Sequence, residues 1–205
     1  SISGFGSVIV DGIRFDTSHT SLQTRAVVTQ NLALAAMEQD WLPVERPWRL
    51  IERHYGALQG LDKQRTAERH GAEQVHVWRR SYTTPPPAVE IEHPEHPVND
   101  PRYAHLPPDA LPASECLRDV LARVLPYWYD RVAPQLMSGR HVLITAHGNS
   151  LRALLKHLER IGDDDIAEVE IPTGVPKQYT FDDMLRVTSA DYLGDPDVVA
   201  AAIAA

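Results

Sequence analysis

Val142-Leu143-Ile144-Thr145-Ala146-His147-Gly148-Asn149-Ser150-Leu151 is the stretch that decides how this chain is read. The apolar run Val142-Leu143-Ile144 suits a buried strand. Leu151, Leu154, Leu155 and Leu158 then fall at i, i+3, i+4 and i+7, one face of a helix. Between them lies a turn with a histidine, a glycine and two residues, Asn149 and Ser150, that favour helix caps. In open α/β sheets the junction between a strand's C-terminal end and a helix N-terminus is where ligands bind. Free N–H groups and a partial positive charge there favour an anion, often phosphate. A histidine at that point titrates near physiological pH. A loop histidine that merely caps the helix would fit the local pattern equally well.

Working outward, 205 residues with 43% hydrophobic content can bury one sizeable core, so residues 1–205 are expected to form a single domain. A net charge of -8 argues against general nucleic-acid binding, because nothing broadly basic offsets phosphate repulsion. Cys116 is the sole cysteine, which rules out a disulfide framework and a Cys-rich metal site. It is expected as a packed thiol in a helix. No apolar run approaches membrane-spanning length and no cleavable signal is present, so a cytoplasmic protein without membrane contacts is expected.

Residues 1–12 are atypical, with Ser7-Val8-Ile9-Val10 as a possible short strand. His19-Thr20-Ser21 leads into a helix that Thr20 or Ser21 would cap, with Leu22, Val28, Leu32 and Ala35 at roughly helical spacing. Arg25 then sits in the first turn or so, where the helix dipole disfavours a cation. That conflict points to a ligand, although a solvated arginine is the commoner case. Trp41–Val44 reads as extended. Arg49 through Lys63 reads as a loop dense in chemistry, with Glu52, Arg53, His54 and Tyr55 consecutive.

One helix is expected over Lys63–Trp78, closed by Arg79-Arg80. Adjacent arginines can chelate a phosphate or carboxylate, or simply complement the helix C-terminus. Residues 84–112 form a proline-rich excursion that excludes regular structure. It holds His93 and His96 among Glu90, Glu92 and Glu95, but no strand or helix fixes them as metal ligands. From Ser114 a helix follows, which Pro126 should kink or restart. Lys177–Phe181 and Leu185–Ser189 suggest a hairpin, and Asp195–Ala205 a weak helix. Helices alternating with apolar strands give an α/β fold with three α/β/α layers and a mostly parallel sheet.

Trp48 through Lys63 (Trp-Arg-Leu-Ile-Glu-Arg-His-Tyr-Gly-Ala-Leu-Gln-Gly-Leu-Asp-Lys) resembles the signature loop of the 2,3-bisphosphoglycerate-dependent phosphoglycerate mutases. So do Thr20-Ser21 through Arg25, Trp78-Arg79-Arg80, Pro85-Pro86-Pro87, Asp100-Pro101-Arg102-Tyr103, His147-Gly148-Asn149-Ser150 and Pro172-Thr173-Gly174. The likeness runs over roughly residues 13–205. It separates these mutases from the wider histidine phosphatase superfamily, which shares the histidine turn but not the long glutamate loop.

The resemblance implies interconversion of 3-phosphoglycerate and 2-phosphoglycerate in glycolysis and gluconeogenesis, through a phosphohistidine primed by 2,3-bisphosphoglycerate and without a metal. It implies that His147 stabilises the transferring oxygens and that Arg25 clamps the same phosphoryl group. Glu52 would be the general acid/base, which requires a pKa lifted toward neutrality. Arg53, His54, Tyr55, Lys63, Arg79 and Arg80 would hold the substrate's carboxylate and second phosphate, with Gly148 and Asn149 adding backbone donors. A homodimer or homotetramer acting on phosphoglycerates is implied, with no nucleic acid as partner.

The family's phosphoacceptor lies in an N-terminal Arg-His-Gly-Glu run, and no such four-residue run occurs here. Residues 1–12 do not match it, so the first strand is expected to be missing or replaced, with Ser7–Val10 as the stand-in and with strand edges left exposed. A relative that binds phosphorylated acids or a partner subunit without catalysis is the alternative.

Overall fold

Thr17–Thr20, a tetrapeptide without one aliphatic residue, forms the central strand of the main sheet. A computed structural model describes residues 12–61 and 63–204, with backbone alone at 63–65 and 204. Strand β1 (Thr17–Thr20) lies between β2 (Val44–Glu45) and β3 (Val142–Thr145), parallel to both. The register pairs Thr17 with Val142 and Thr20 with Thr145. Periodicity in apolar residues could not find β1, because its burial rests on polar partners. Ser18 Oγ accepts from Gln30 Nε2 at 2.7 Å, His19 Nδ1 lies 2.6 Å from the Tyr127 hydroxyl, and Thr20 Oγ1 donates to the Thr145 carbonyl at 2.6 Å. The Ser18, His19 and Thr20 side chains are thereby partnered, as burial demands, while Gln30 Oε1 is left without a partner.

These partners also define the layers. Successive strand residues face opposite sides of a sheet. Ser18 meets Gln30 of α1 (Thr24–Ala36), whereas His19 meets Tyr127 of α4 (Leu117–Tyr127), so α1 and α4 cover opposite faces. Helix α6 (Gly148–Glu159) packs beside α4. The main core lies on their side, built from Leu117, Val120, Val124, Trp128, Ala153 and Leu154, with Val142 and Ile144 against it. The α/β/α arrangement with a parallel sheet thus matches expectation. On its other edge β3 pairs with no strand among the described residues, and β4 (Lys177–Phe181) with β5 (Val187–Tyr192) forms a separate antiparallel hairpin. Ser7–Val10 lies outside the described residues.

Several boundaries differ from expectation. Helix α1 starts at Thr24 with Gln23 as its N-cap, so Thr20 and Ser21 are strand end and turn rather than caps. The expected helix over Lys63–Trp78 is two helices, α2 (Lys63–His70) and α3 (Ala72–Arg80), because Gly71 at φ +84° turns the chain in a region closed to other residues. Helix α4 starts only at Leu117, and Cys116 is its buried, extended N-cap rather than a helical residue. Pro126 stays inside α4. The winding changes further on, at Trp128–Val132, where the Ala133 N–H reaches back to the Trp128 carbonyl in a π-turn before α5 (Ala133–Met137). Pro134, with no N–H to give, sits just beyond that turn. The C-terminal α7 (Pro196–Ala204) is present.

The proline-rich excursion contains only 3-10 turns, at Pro97–Asn99, Pro101–Tyr103 and Pro108–Ala110. Tyr103 and Leu111 pack with Ile51, Leu22 and Trp48 in a second small core, which seats the excursion against the Glu52 loop. His93 Nδ1 accepts from the Glu95 N–H and His96 Nδ1 from the Val98 N–H, so both histidines serve turns. Among the described residues no helix is long and apolar enough to cross a membrane, and no three of His, Cys, Asp or Glu converge on one point.

Candidate active site

Helix α6 begins at the turn that opened the sequence reading, and His147 itself is its N-cap, not Asn149 or Ser150. Ser150 Oγ accepts from the His147 N–H and donates to the His147 carbonyl, both at 3.1 Å, which locks the turn. The imidazole is buried and held from two sides. Arg25 Nε donates to Nδ1 at 3.1 Å, and Nε2 lies 2.7 Å from Ser21 Oγ. A ring nitrogen that accepts from a guanidinium carries no proton, so the proton resides on Nε2 and points to Ser21. Burial, then the Arg25 charge, then that of Arg123 lower the His147 pKa to about 4. The ring is therefore a neutral donor at physiological pH.

Arg25 occupies the first turn of α1, as its position suggested, and the conflict with the helix dipole is explained by its contact with His147. Ser21 Oγ also accepts from the Gln23 N–H at 3.1 Å, and Gln23 Oε1 accepts from the Glu52 N–H at 2.9 Å. A continuous chain of hydrogen bonds thus runs from the α6 turn through the β1–α1 turn to the glutamate loop. Glu52 Oε1 accepts from the Arg53 N–H at 2.7 Å. Sequence reading named Arg25, Glu52 and His147 but not the links Ser21 and Gln23. Their signal was weak, since Ser21 reads as a helix cap and nothing in the local sequence marks Gln23.

The Glu52 loop has no regular structure beyond short 3-10 turns, and a buried ion pair shapes it. Arg123 Nε donates to Glu115 Oε1 at 2.6 Å, and its terminal nitrogens donate to the carbonyls of Arg49 at 2.5 Å and Ile51 at 2.9 Å. Glu115 Oε2 accepts from the His54 N–H at 2.9 Å. Two side chains on either side of the α4 start therefore hold the backbone of the loop at Arg49, Ile51 and His54. A cleft of about 360 Å³ opens beside this pair, between Trp48, Arg49, Leu111 and Asp119, and none of Arg25, Glu52 or His147 lines it.

The remaining expected site residues divide into two groups. Arg53 is almost wholly buried, and its guanidinium donates to the carbonyls of Trp78, Arg79 and Glu115, so it fastens the end of α3 to the loop. His54 Nε2 lies 2.9 Å from the Glu95 carbonyl and Nδ1 accepts from the Gly56 N–H, which ties the loop to the excursion. Both are committed to backbone groups. Tyr55, Arg79, Arg80 and Asn149 instead gather at the α6 turn. Asn149 Nδ2 donates to the Tyr55 hydroxyl at 3.0 Å, and the guanidinium groups of Arg53 and Arg79 lie 4.9 Å and 5.3 Å from the Tyr55 ring centre. Arg80 pairs with Glu170, and Arg79 Nε is buried without a partner. Gly148 lies in the first turn of α6. The Lys63 side chain lies outside the described residues. A triplet Arg69-His70-Gly71 does occur, at the exposed α2–α3 junction, where His70 stacks edge-on against Trp78.

A neutral histidine at a helix N-terminus, clamped by arginine, with further arginines beyond a carboxylate loop, defines an α/β protein built to handle phosphoryl-like anions. The family model of the histidine phosphatase superfamily (branch 1) matches residues 5–99 and 91–184. The chain is 56% identical over 186 residues to a 2,3-bisphosphoglycerate-dependent phosphoglycerate mutase of Nitratidesulfovibrio vulgaris strain Hildenborough, covering 91% of this chain and 74% of the relative. The relative in strain DP4 is 55% identical over the same shares. Solved structures at lower identity share the fold. Phosphoglycerate mutase from Bacillus anthracis str. Sterne has TM-score 0.59 and 19% identity, covering 93% of this chain and 77% of that one. A mycobacterial glucosyl-3-phosphoglycerate phosphatase in complex with inorganic phosphate has TM-score 0.60 and 20% identity, covering 87% and 76%. The chain belongs to the histidine phosphatase superfamily and, within it, to the 2,3-bisphosphoglycerate-dependent phosphoglycerate mutases.

Proposed function

We propose that this protein interconverts 3-phosphoglycerate and 2-phosphoglycerate, primed by 2,3-bisphosphoglycerate. The observation that carries the reading is His147, neutral and held between Arg25 and Ser21, joined by hydrogen bonds to the Glu52 loop. A preorganised neutral donor beside a fixed guanidinium stabilises charge that develops on phosphoryl oxygens without reorganising at the moment of transfer. When a phosphoryl group arrives, its oxygens take the place of Ser21 as acceptor for the Nε2 proton, and Arg25 supplies the countercharge. Glu52 exchanges a proton with the glycerate hydroxyl as the phosphoryl group passes between that oxygen and a phosphoacceptor histidine. Tyr55, Asn149, Arg79 and Arg80 orient the carboxylate and second phosphate.

A second reading, a relative that binds phosphorylated acids without turning them over, draws on the histidines. His19 is held by Tyr127, His54 by Glu95 and Gly56, and His96 by Val98, so the other buried histidines are engaged away from the His147–Arg25 contact. Incubation with 2,3-bisphosphoglycerate, tryptic mass spectrometry and a mutase assay separate the two. Phosphohistidine with turnover supports the mutase, and tight binding with neither sinks it. Glu52→Gln should abolish turnover while leaving substrate binding largely intact. Survival of turnover in that variant would remove Glu52 as acid/base.

A further inference from the structure

Arg152 was not among the residues singled out by sequence, yet it joins the same group of side chains at the α6 turn. It sits three residues after Asn149 on α6, and only 6% of its surface is exposed. Its Nη2 donates to Asn149 Oδ1 at 3.0 Å. An amide whose oxygen is held in this way must turn its NH2 to the other side, and there Asn149 Nδ2 donates to the Tyr55 hydroxyl at 3.0 Å. The order is therefore Arg152, Asn149, Tyr55, with the Arg79 guanidinium against the Tyr55 ring.

The local charges say what this order is for. Burial disfavours the Arg152 cation, and so do the neighbouring cations Arg80 and Arg53. The opposing carboxylate, Glu170, is half exposed and already paired with Arg80. Three buried side-chain polar atoms among the described residues lack a partner, and two of them are Arg152 Nε and Arg79 Nε. Charged N–H groups left bare inside a protein mark a place where an anion completes the structure.

We propose that Arg152 is a positioning residue for an anion bound at the α6 turn: it sets the orientation of the Asn149 amide, and through it the Tyr55 hydroxyl, for a phosphorylated acid. The ligand class rests on the function proposed above, whereas the orienting role does not. The fixed fork of arginine lets Nη2 hold Asn149 while Nε remains for an anion, a geometry that lysine cannot reproduce.

The test uses the full chain as wild type, Arg152→Gln, Arg152→Lys, Asn149→Ala and the Arg152→Gln/Asn149→Ala double variant. In ligand-free protein, the side-chain NH2 resonances of Asn149 should be dispersed and slow to exchange in wild type. They should collapse toward solvent-exposed values in both Arg152 variants while the backbone spectrum stays folded. Unchanged Asn149 resonances in folded Arg152→Lys overturn the proposal. By calorimetry with 3-phosphoglycerate, Arg152→Gln should weaken binding about tenfold or more, the loss expected for a charge-assisted hydrogen bond. In the Asn149→Ala background the same change should matter far less. Equal losses in both backgrounds overturn the route through Asn149. Failure of wild type to bind 3-phosphoglycerate, with the resonance signature intact, counts against the proposed function alone and leaves the orienting role upheld.

Discussion

The depressed pKa of His147 makes the stability of this protein fall with acid. The folded value of about 4 lies below the ordinary 6.5, so between those limits the unfolded chain binds a proton that the folded one refuses. Stability contributed by the neutral ring is complete above 6.5 and is lost as pH falls toward 4. The interval corresponds to about 3 kcal/mol, at about 1.4 kcal/mol for each tenfold change in proton affinity. The physical cause is burial beside the Arg25 cation, where a second cation has no counter-ion. Urea unfolding of wild type and His147→Asn, followed at a series of pH values from about 7.5 to about 4.5, isolates this contribution. Burial also lowers the pKa of His19, His96 and His157, but those residues are common to both proteins and cancel in the difference. Asparagine keeps an acceptor for Arg25 and has no proton to gain. Wild type should therefore lose about 2 to 3 kcal/mol relative to the variant as the pH drops. Parallel pH profiles would refute the assignment of a buried, neutral His147.

Arg123→Met should destabilise the fold by about 3 to 5 kcal/mol, because it leaves Glu115 charged and buried. Denaturant titration measures this, and a change below about 1 kcal/mol would show that the pair does not hold the Glu52 loop. Gly56→Ala should cost about 2 kcal/mol or more, since the backbone there has φ +55° and a Cβ would fall 2.1 Å from the Pro87 carbonyl oxygen. Thermal unfolding with unchanged midpoint would contradict that close approach. Tyr127→Phe leaves His19 Nδ1 without its partner and should cost about 1 to 3 kcal/mol, read by the same method, with no loss implying that His19 finds another partner.

How much of this was legible in the sequence depended on which force holds each element. The β3–α6 unit announces itself because its strand and helix are held by aliphatic packing of Val142, Ile144, Leu154 and Leu155, which leaves a periodic trace. Strand β1 leaves none, because Ser18, His19 and Thr20 are kept inside by partners distant in the chain. Arg25 stood out by contradicting the dipole of its own helix. Ser21, Gln23 and Arg152 contradict nothing locally, and their places in the site follow from contacts with residues up to 126 positions away. Arg53 and His54 illustrate the converse. Standing beside Glu52, they read as ligand-binding groups, and in the fold their ring and guanidinium nitrogens also meet backbone groups that local sequence cannot reveal. The break at Gly71 was visible in principle, since a glycine after a run of polar helix formers is a stop signal.

Because β1 is anchored by matched polar groups rather than by apolar faces, its alignment is a lock with unlike keys. A slip of one residue would turn the Ser18 hydroxyl toward Tyr127 and the imidazole of His19 toward Gln30. An aliphatic strand meets such an error with some residual packing. Here the shifted pairing would strand several donors and acceptors in the interior at once, so a misaligned sheet loses both its packing and its hydrogen bonds.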